Sequence, residues 1–353
     1  MAQGSVDSDL PFVSILMVNY NGQAHLKEFF ESVFQLNYPE SRYEVVVVDN
    51  ASRDGSPDWI RNNYPRVKLI CLDKNYGFST GNNVGVKYCQ GKFLALINND
   101  TVLDKDWLIE LVRQAVKEPD AIYGSKMLWY KRRDYIVYGG GRLFAWGEPC
   151  HLQTYARDRG TEVNPSLTMY ADGCGELLSK EVFLKIAGFD ESYFCYSEDI
   201  ELSWKAWILG YRIYFVPTAK FYHKVSATLG SRSFAFIYYI IRNQLRNIFK
   251  FAEFRDLVIM LPSYAFYSLS LYLVVYCFQE RKFSLILPIM KAYLKFFTEI
   301  HHLIPIRRQF QKRRRVTDKE LKRMGLILTF SDSISEAFAT LSRKSKFQKD
   351  TRA

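Results

Sequence analysis

The chain has 353 residues, of which 48% are hydrophobic and 24% are charged, a composition that is typical of globular proteins and excludes disordered, collagen-like and multi-span membrane chains. Its net charge of +11 is unevenly distributed. Residues 1–230 carry 25 Lys and Arg against 28 Asp and Glu, whereas residues 231–353 carry 23 against 9. This asymmetry predicts a surface-binding segment attached at the C-terminal side.

The beginning of the chain resembles no targeting signal. Its first ten residues, MAQGSVDSDL, lack the basic and apolar segments of a secretory signal, and we expect residues 1–11 to be flexible. The six cysteines form no C-x-x-C pair and no zinc spacing, so they indicate neither a disulfide scaffold nor a Cys-rich metal site. Together these features predict a cytoplasmic protein.

Residues 12–230 show the pattern of an α/β domain. Short β-branched runs alternate with helical patterns, which is typical of parallel strands joined by crossover helices. Strands are predicted at 13–18, 44–48, 68–72 and 93–97, and a helix at 24–36. We therefore expect a Rossmann-like, doubly wound and mainly parallel sheet.

Polar residues follow each of the four predicted strands. In such sheets, ligands bind beyond the carboxyl ends of the strands, so the four loops should face one crevice. Any one of these loops could equally be a turn or a helix cap, but their recurrence at one end of four strands favours a site. The loops are Asn19-Tyr20-Asn21-Gly22, Asp49-Asn50-Ala51-Ser52, Asp73-Lys74-Asn75-Tyr76-Gly77 and Asn98-Asn99-Asp100.

This loop set resembles the inverting family 2 glycosyltransferases, which have the GT-A fold, and especially their rhamnosyltransferase-like branch. The resemblance spans residues 12 to about 225 and includes seven segments in the family's order. They are Val18-Asn19-Tyr20-Asn21-Gly22; Val48-Asp49-Asn50-Ala51-Ser52-Arg53-Asp54-Gly55-Ser56; Asn75-Tyr76-Gly77-Phe78 with Gly81-Asn82-Asn83; Asn98-Asn99-Asp100; Gly188-Phe189-Asp190-Glu191; Ser197-Glu198-Asp199-Ile200-Glu201-Leu202; and Pro217 with His223.

The resemblance implies that the first loops bind the nucleotide of a sugar donor. It assigns the Asp49 loop to the base, and a carboxylate can accept the imide N–H of uracil or thymine. Gly77 and Gly81 would let the backbone approach the nucleotide closely. The expected nucleotide-binding residues are Asn19, Asn21, Asp49, Asn75, Gly77, Gly81, Asn82, Asn98 and Asn99.

A divalent cation, Mn²⁺ or Mg²⁺, is expected to neutralise the departing diphosphate. Asp100 is the candidate carboxylate ligand, and His223 matches a position at which some relatives supply a histidine. The sequence departs from the usual Asp-x-Asp because Asn98 replaces the first carboxylate, which could weaken the site. His223 could also be a strand-end histidine that is hydrogen-bonded to backbone.

The remaining requirement is a base for the attacking hydroxyl. Glu198 and Asp199 open a predicted helix at 200–209, where carboxylates could simply complement the helix dipole. The resemblance implies that Asp199 is the general base and that Glu198 orients the acceptor or supports the site. Direct attack would invert the anomeric configuration. Asp172-Gly173-Cys174-Gly175 would form either a loop of the site or an ordinary turn.

The region at 231–330 is basic and rich in aromatic residues. Apolar faces interrupted by basic residues at 234–250 and from 283 onward favour helices lying in a membrane interface, with the cluster at 307–315 reinforcing attachment to anionic lipids. A single span at 257–279, which has no charged residue, is the alternative. Helices packed on the catalytic domain, or in an oligomer interface, would give the same pattern. Residues 331–353 are predicted to be a polar tail.

The prediction is thus a metal-dependent glycosyltransferase at the cytoplasmic face of the cell membrane. We expect a nucleoside diphosphate sugar as donor, dTDP-rhamnose first and a UDP-sugar next. The expected acceptor is a glycan, possibly linked to a polyprenyl diphosphate, in cell-wall or surface polysaccharide assembly. Two alternatives stay open: a sugar-nucleotide-binding or scaffold protein that has lost catalysis, and a basic nucleic-acid-binding protein.

Overall fold

A computed structural model describes residues 10–224, 233–271, 281 and 283–351. Its N-terminal half is a parallel α/β unit in which the predicted strands and helix are confirmed within two or three residues. Four consecutive valines in the second strand, Val45 to Val48, are at most 4% exposed, because helices cover both faces of the sheet. The elements are β1 (Val13–Asn19), α1 (Gln23–Val33), β2 (Tyr43–Asp49), α2 (Ser56–Asn63), β3 (Lys68–Cys71), α3 (Gly77–Tyr88) and β4 (Phe93–Asn98).

The sheet continues into a second, mixed half. The elements added are β5 (Thr101–Leu103), α4 (Trp107–Ala115), β6 (Ile122–Trp129), β7 (Ile136–Tyr138), β8 (Gly141–Leu143), β9 (Pro149–His151), β10 (Ser166–Leu167), β11 (Gly175–Ser179), α5 (Lys180–Lys185), α6 (Glu198–Ile208) and β12 (Ile213–His223). The order of the sheet in the described residues is β10-β12-β6-β11-β4-β1-β2-β3, with β5 paired to β12 and β7 to β6, while β8 and β9 pair separately with each other.

The expectation of a mainly parallel sheet is correct for β3, β2, β1 and β4, whereas the remaining strands are mixed in direction. β11 runs antiparallel to both of its neighbours, β4 and β6, and β12 is parallel to β6 but antiparallel to β5 and β10. The antiparallel direction of β11 follows from the path of the chain. Strands that run parallel need a crossover connection, usually a helix, and the chain enters β11 without one. Its position brings the loop at 172–174 beside the end of β4.

The C-terminal region is helical, as predicted. It contains α7 (Phe234–Phe251), α8 (Phe254–Leu269), α9 (Ile286–Arg313), α10 (Asp318–Arg323) and α11 (Phe330–Asp350). The predicted polar tail is mostly α11, which packs on the sheet through Phe347, whose ring stacks 5.5 Å from that of Trp129. Residues 1–9 of the predicted flexible N-terminus and the predicted domain boundary at 230 lie outside the described residues.

The prediction that α7 lies in a membrane interface is wrong in one respect. Its polar side chains do not form an exposed face, because Arg242, Asn243, Arg246 and Lys250 are at most 6% exposed. They pair instead with groups of the α/β domain and of α9. The part of α7 from residue 241 onward is therefore internal to the fold, which corresponds to the packed-helix alternative.

Part of the predicted basic cluster at 307–315 is also used inside the protein. Arg307 donates to the carbonyls of Phe249 and Ala252, and Arg314 donates to that of Phe251. These carbonyls end α7 and have no partner within the helix, and cations favour the negative end of the helix dipole. The two arginines thus stabilise the C-terminus of α7 rather than a membrane contact.

No helix in the described parts of the chain combines the length and the hydropathy that a membrane crossing requires. The predicted alternative span at 257–279 is described only as far as residue 271, and α8 ends at Leu269 within it.

Candidate active site

A cavity of about 500 Å³ opens where β1 and β4 end, between the loop at 172–174, the start of α6 and α7. This is the position that a switch in strand order favours for a ligand site, since β1 lies between β2 and β4. Eight of the predicted site residues line it: Asn75, Gly77, Asn98, Asn99, Asp100, Glu198, Asp199 and His223. The three carboxylates expected to act in metal binding and catalysis therefore share one cavity.

The other predicted nucleotide-binding residues do not line the cavity and lie behind its lining or beside it. Asn19 is buried and donates to Asp49 Oδ1 at 2.8 Å, while its own Oδ1 accepts from Asn99 at 2.7 Å. Asp49 is 1% exposed, and its second oxygen accepts the backbone N–H of Ser52 at 2.8 Å. This network fixes the loops after β1, β2 and β4 relative to each other, and base recognition by Asp49 stays a prediction.

Three further predicted residues have local structural contacts. Asn21 is exposed with φ of 49°, and its Oδ1 accepts the N–H of Arg53. Asn82 donates to the carbonyl of Phe78 within α3. A side chain at Gly81 would come within 2.9 Å of Val18, so this glycine lets α3 approach β1. None of the three lines the cavity, and their nucleotide contacts also stay predictions.

Gly77 lies where two backbone segments approach closely, and its expected contact with the nucleotide stays a prediction. Its φ is +86°, and a Cβ there would lie 2.3 Å from the carbonyl oxygen of Phe194. That carbonyl accepts the N–H of Phe78 at 2.7 Å. Only glycine fits this approach, which joins the start of α3 to the loop that precedes Asp199.

Asp100, which follows β4, and His223, the last residue of β12, form a pair at the edge of the cavity. Asp100 Oδ1 lies 3.0 Å from His223 Nε2, and both side chains are nearly buried. Burial alone would lower the pKa of His223, but the hydrogen bond and charge of Asp100 outweigh it and raise the pKa. Burial would raise the pKa of Asp100, yet the contact with His223 holds it below its ordinary value.

This pair fits a divalent cation bound to a diphosphate. One carboxylate and one imidazole supply the one or two protein ligands that such a cation uses, and imidazole suits Mn²⁺ better than Mg²⁺. His223 Nδ1 is buried and has no hydrogen-bond partner in the described structure, so the ring is not held by backbone as an ordinary strand-end histidine would be. Asn98 donates to Cys174 Sγ at 3.0 Å and does not replace the missing carboxylate.

Asp199 lies in the first turn of α6, facing the cavity. Burial raises its pKa to about 7, and the negative charge of Asp172 adds to the rise. Its Oδ1 accepts the N–H of Ile200 at 2.8 Å and its Oδ2 that of Gly173 at 3.4 Å, which orients the carboxylate. A carboxylate that titrates near neutral pH is suited to general-base catalysis.

Glu198 differs from its neighbour. Burial, and then the charge of Asp199, raise its pKa well above the ordinary value, and its Oε2 has no hydrogen-bond partner among the described residues. A neutral carboxylic acid at this position can donate a hydrogen bond to a ligand oxygen. This is compatible with the expected role of Glu198 in orienting the acceptor.

Sequence reasoning missed the contribution of α7. Asn243 donates to the carbonyls of Cys195 and Tyr196, and Asn247 donates to that of Ser197 at 3.1 Å. Two asparagines four residues apart on one face of a helix were the available signal. Phe236 and Ile240 of the same helix line the cavity. Helix α7 therefore forms a wall of the site and holds the loop that precedes Asp199.

Residues 14–186 match the family model for glycosyl transferase family 2. Glycosyltransferase AglE of Haloferax volcanii is 33% identical over 104 residues, which cover 29% of this chain and 34% of AglE. The N-acetylglucosaminyl-diphospho-decaprenol L-rhamnosyltransferase of Mycobacterium tuberculosis is 25% identical over 242 residues, which cover 61% of this chain and 77% of that protein.

The crystal structure of GalNAc-T7 with UDP, GalNAc and Mn²⁺ superposes with a TM-score of 0.57 and 18% sequence identity, over 69% of this chain and 48% of that one. This likeness shows that the two chains share the GT-A fold. The match spans only about a third of AglE and about half of GalNAc-T7. Residues 14–186 of this chain are therefore a glycosyl transferase family 2 domain.

Proposed function

We propose that this protein transfers a sugar from a nucleoside diphosphate donor to a hydroxyl group of a glycan acceptor, with inversion at the anomeric carbon. The observation that carries the proposal is that Asp199 and the Asp100–His223 pair line one cavity. A glycosyl transfer needs a base for the acceptor and a counter-charge for the leaving diphosphate on opposite sides of one carbon.

The residues of the chain have separate parts in the proposed reaction. Asp199 accepts the proton of the attacking hydroxyl, and the N–H groups of Ile200 and Gly173 keep its carboxylate oriented. Glu198 donates to an acceptor oxygen. Asp100 and His223 would hold Mn²⁺ or Mg²⁺, which supplies positive charge to the departing diphosphate. Attack at the donor carbon is a single displacement, so no covalent enzyme intermediate forms.

For the donor we propose dTDP-rhamnose first and a UDP-sugar next. The rhamnosyltransferase name of one relative supports the former, and the UDP bound to GalNAc-T7 supports the latter. For the acceptor we propose a lipid-linked glycan in cell-wall or surface polysaccharide assembly, used at the cytoplasmic face of the membrane. The decaprenol diphosphate in the name of the same relative supports this choice.

The nucleic-acid-binding alternative is weakened because several basic residues of the C-terminal region are used inside the protein. Arg242, Arg246 and Lys250 form ion pairs inside the protein, and Arg307 and Arg314 cap α7. Five of the 23 Lys and Arg of residues 231–353 are thus not presented to a phosphate backbone.

A thermal-shift panel tests the proposal. We expect dTDP or UDP to raise the melting temperature more in the presence of Mn²⁺ than in its absence, and GDP to raise it less, because ligand binding stabilises the native state. Release of free sugar or glycosylated product from the corresponding nucleotide sugar would separate an enzyme from a binding protein. Nucleotide binding without any turnover would instead favour the scaffold alternative.

A further inference from the structure

The first half of α9 has two apolar sides with different surroundings. One side, which includes Ile289, Ala292 and Phe296, is at most 1% exposed and packs in the core of the helical region. The other side is exposed to between 52% and 66% and consists of Leu287, Met290, Leu294 and Phe297. We call these four residues the α9 face. Large apolar side chains grouped on one side of an exposed helix mark an interaction surface.

The charges beside the α9 face are positive. Lys291 and Lys295 are exposed within the same turns. The acid of this segment, Glu299, pairs with Arg242 at 2.8 Å, with Arg246 at 3.0 Å and with Lys295 at 3.2 Å, so that Lys291 is the lysine beside the face that does not pair with Glu299, while Lys295 stays half exposed. Within residues 283–300 the surface therefore combines apolar side chains with lysines whose long stems can lie along a membrane interface while their ammonium groups reach anionic headgroups.

The α9 face adjoins the cavity. The ammonium of Lys291 lies 5.3 Å from the ring centroid of Phe234, the first residue of α7. Two residues further on, Phe236 lines the cavity, where its ring meets that of Tyr196 edge-on at 4.9 Å. A molecule lying on the α9 face is therefore close to the side of the cavity formed by α7 and the loop before Asp199.

We propose that the α9 face docks on the surface of an anionic lipid bilayer, so that the α7 side of the cavity opens beside the lipid headgroups. The four apolar side chains would enter the interface, and Lys291 and Lys295 would meet lipid phosphates. The docking would serve the lipid-linked acceptor, and this purpose rests on the proposed function. Helix α7 and the arginines that cap it take no part in it.

Vesicle flotation of the full chain tests the proposal. We expect the protein to float with phosphatidylcholine–phosphatidylglycerol vesicles and less with phosphatidylcholine alone. The double variant Met290→Asp with Leu294→Asp should bind roughly tenfold more weakly or worse, since charges would enter the interface. Lys291→Glu should weaken binding roughly tenfold, and only on the anionic vesicles.

The matched control is Ile334→Asp with Phe338→Asp on α11, an exposed pair with the same spacing, which should leave flotation unchanged. No flotation of the unmodified protein, or equal losses in both double variants, would overturn the proposal. So would a dimer in analytical ultracentrifugation that only the α9 variant dissociates, because a second copy would then cover the face. Nucleotide-induced melting shifts should persist in the α9 variant; their absence from the unmodified protein would count against the proposed function alone.

Discussion

The side chain of Asn243 in α7 donates to the carbonyl of Tyr196 over 2.8 Å, and this bond ties the C-terminal helices to the loop before Asp199. Tyr196 and Ser197 have φ of 67° and 62°, a left-handed backbone conformation that residues other than glycine rarely adopt. The loop therefore needs support from outside, and α7 provides it. A region that composition marks as a separate surface-binding segment is in part a component of the candidate active site.

Removing this support should impair catalysis more than donor binding. In Asn243→Ala, the carbonyls of Cys195 and Tyr196 lose their donor, and we expect kcat to fall roughly tenfold because Asp199 is no longer held in position. The KM for the donor should change little, and the free energy of unfolding should fall by about 1–3 kcal/mol. Steady-state kinetics and thermal unfolding check both expectations, with Asn63→Ala, an exposed helical asparagine, as control. A raised KM with unchanged kcat would contradict the positioning role.

The pH dependence of the reaction should report the environment of Asp199. Its pKa is raised to about 7, and only the deprotonated form can accept a proton. We therefore expect kcat/KM to fall as the pH decreases through about 7, instead of near the ordinary value of an aspartate. Asp172→Asn removes the neighbouring charge that adds to this rise, so the acid limb of the profile should move to lower pH. The exposed variant Asp58→Asn should leave the limb in place; an unmoved limb in Asp172→Asn would assign the rise to burial alone.

The sequence was sufficient for the elements whose pattern is local. Val45 to Val48 indicated a strand covered on both sides, and Asn98-Asn99-Asp100 marked the end of β4. The reversal of β11 was not predictable, because its five residues could pair in either direction and only long-range packing decides.

Burial of polar side chains was the main source of error. Arg242, Arg246 and Lys250 resemble an exposed basic face in sequence, since their partners Asp190, Glu201 and Glu299 lie far away along the chain. For the same reason Asp49 could be placed at a strand end but not behind the cavity wall. Residue type predicted which groups gather at the site, and not which of them face it.

Loss of either Asp100 or His223 should remove the effect of the metal on nucleotide binding. In Asp100→Asn and in His223→Ala, we expect the Mn²⁺-dependent part of the nucleotide-induced melting shift to disappear and the apparent affinity for the nucleotide with Mn²⁺ to fall at least roughly tenfold. The nucleotide alone should bind nearly as before. His25→Ala, which alters a nearby histidine outside the cavity lining, is the control. A Mn²⁺-dependent shift that survives in both variants would place the cation elsewhere.

The stability of the protein should depend on the buried ion pairs of α7. Lys250 is fully buried, with its ammonium 2.9 Å from Glu201 Oε1 and 3.1 Å from Asp190 Oδ2. Lys250→Met leaves both carboxylates without this cation, and the free energy of unfolding should fall by about 3–5 kcal/mol. Lys185→Met breaks an exposed pair with Glu181 and should change it much less. Denaturant unfolding of the two variants side by side measures the difference, and equal losses would refute the internal role of Lys250.

The most direct test of the mechanism is Asp199→Asn. The amide keeps the shape of the carboxylate but cannot accept the proton of the acceptor, and general-base catalysis contributes about 10²–10⁴-fold, so we expect turnover to fall by that factor. Donor affinity should be nearly unchanged, because the residues expected to hold the nucleotide and the cation lie on other elements. Turnover measured together with nucleotide-induced melting separates the two effects. The control is Glu191→Gln, an exposed residue of the loop that precedes α6, which should leave turnover and nucleotide-induced melting unchanged. Full activity of Asp199→Asn would remove this aspartate from the mechanism.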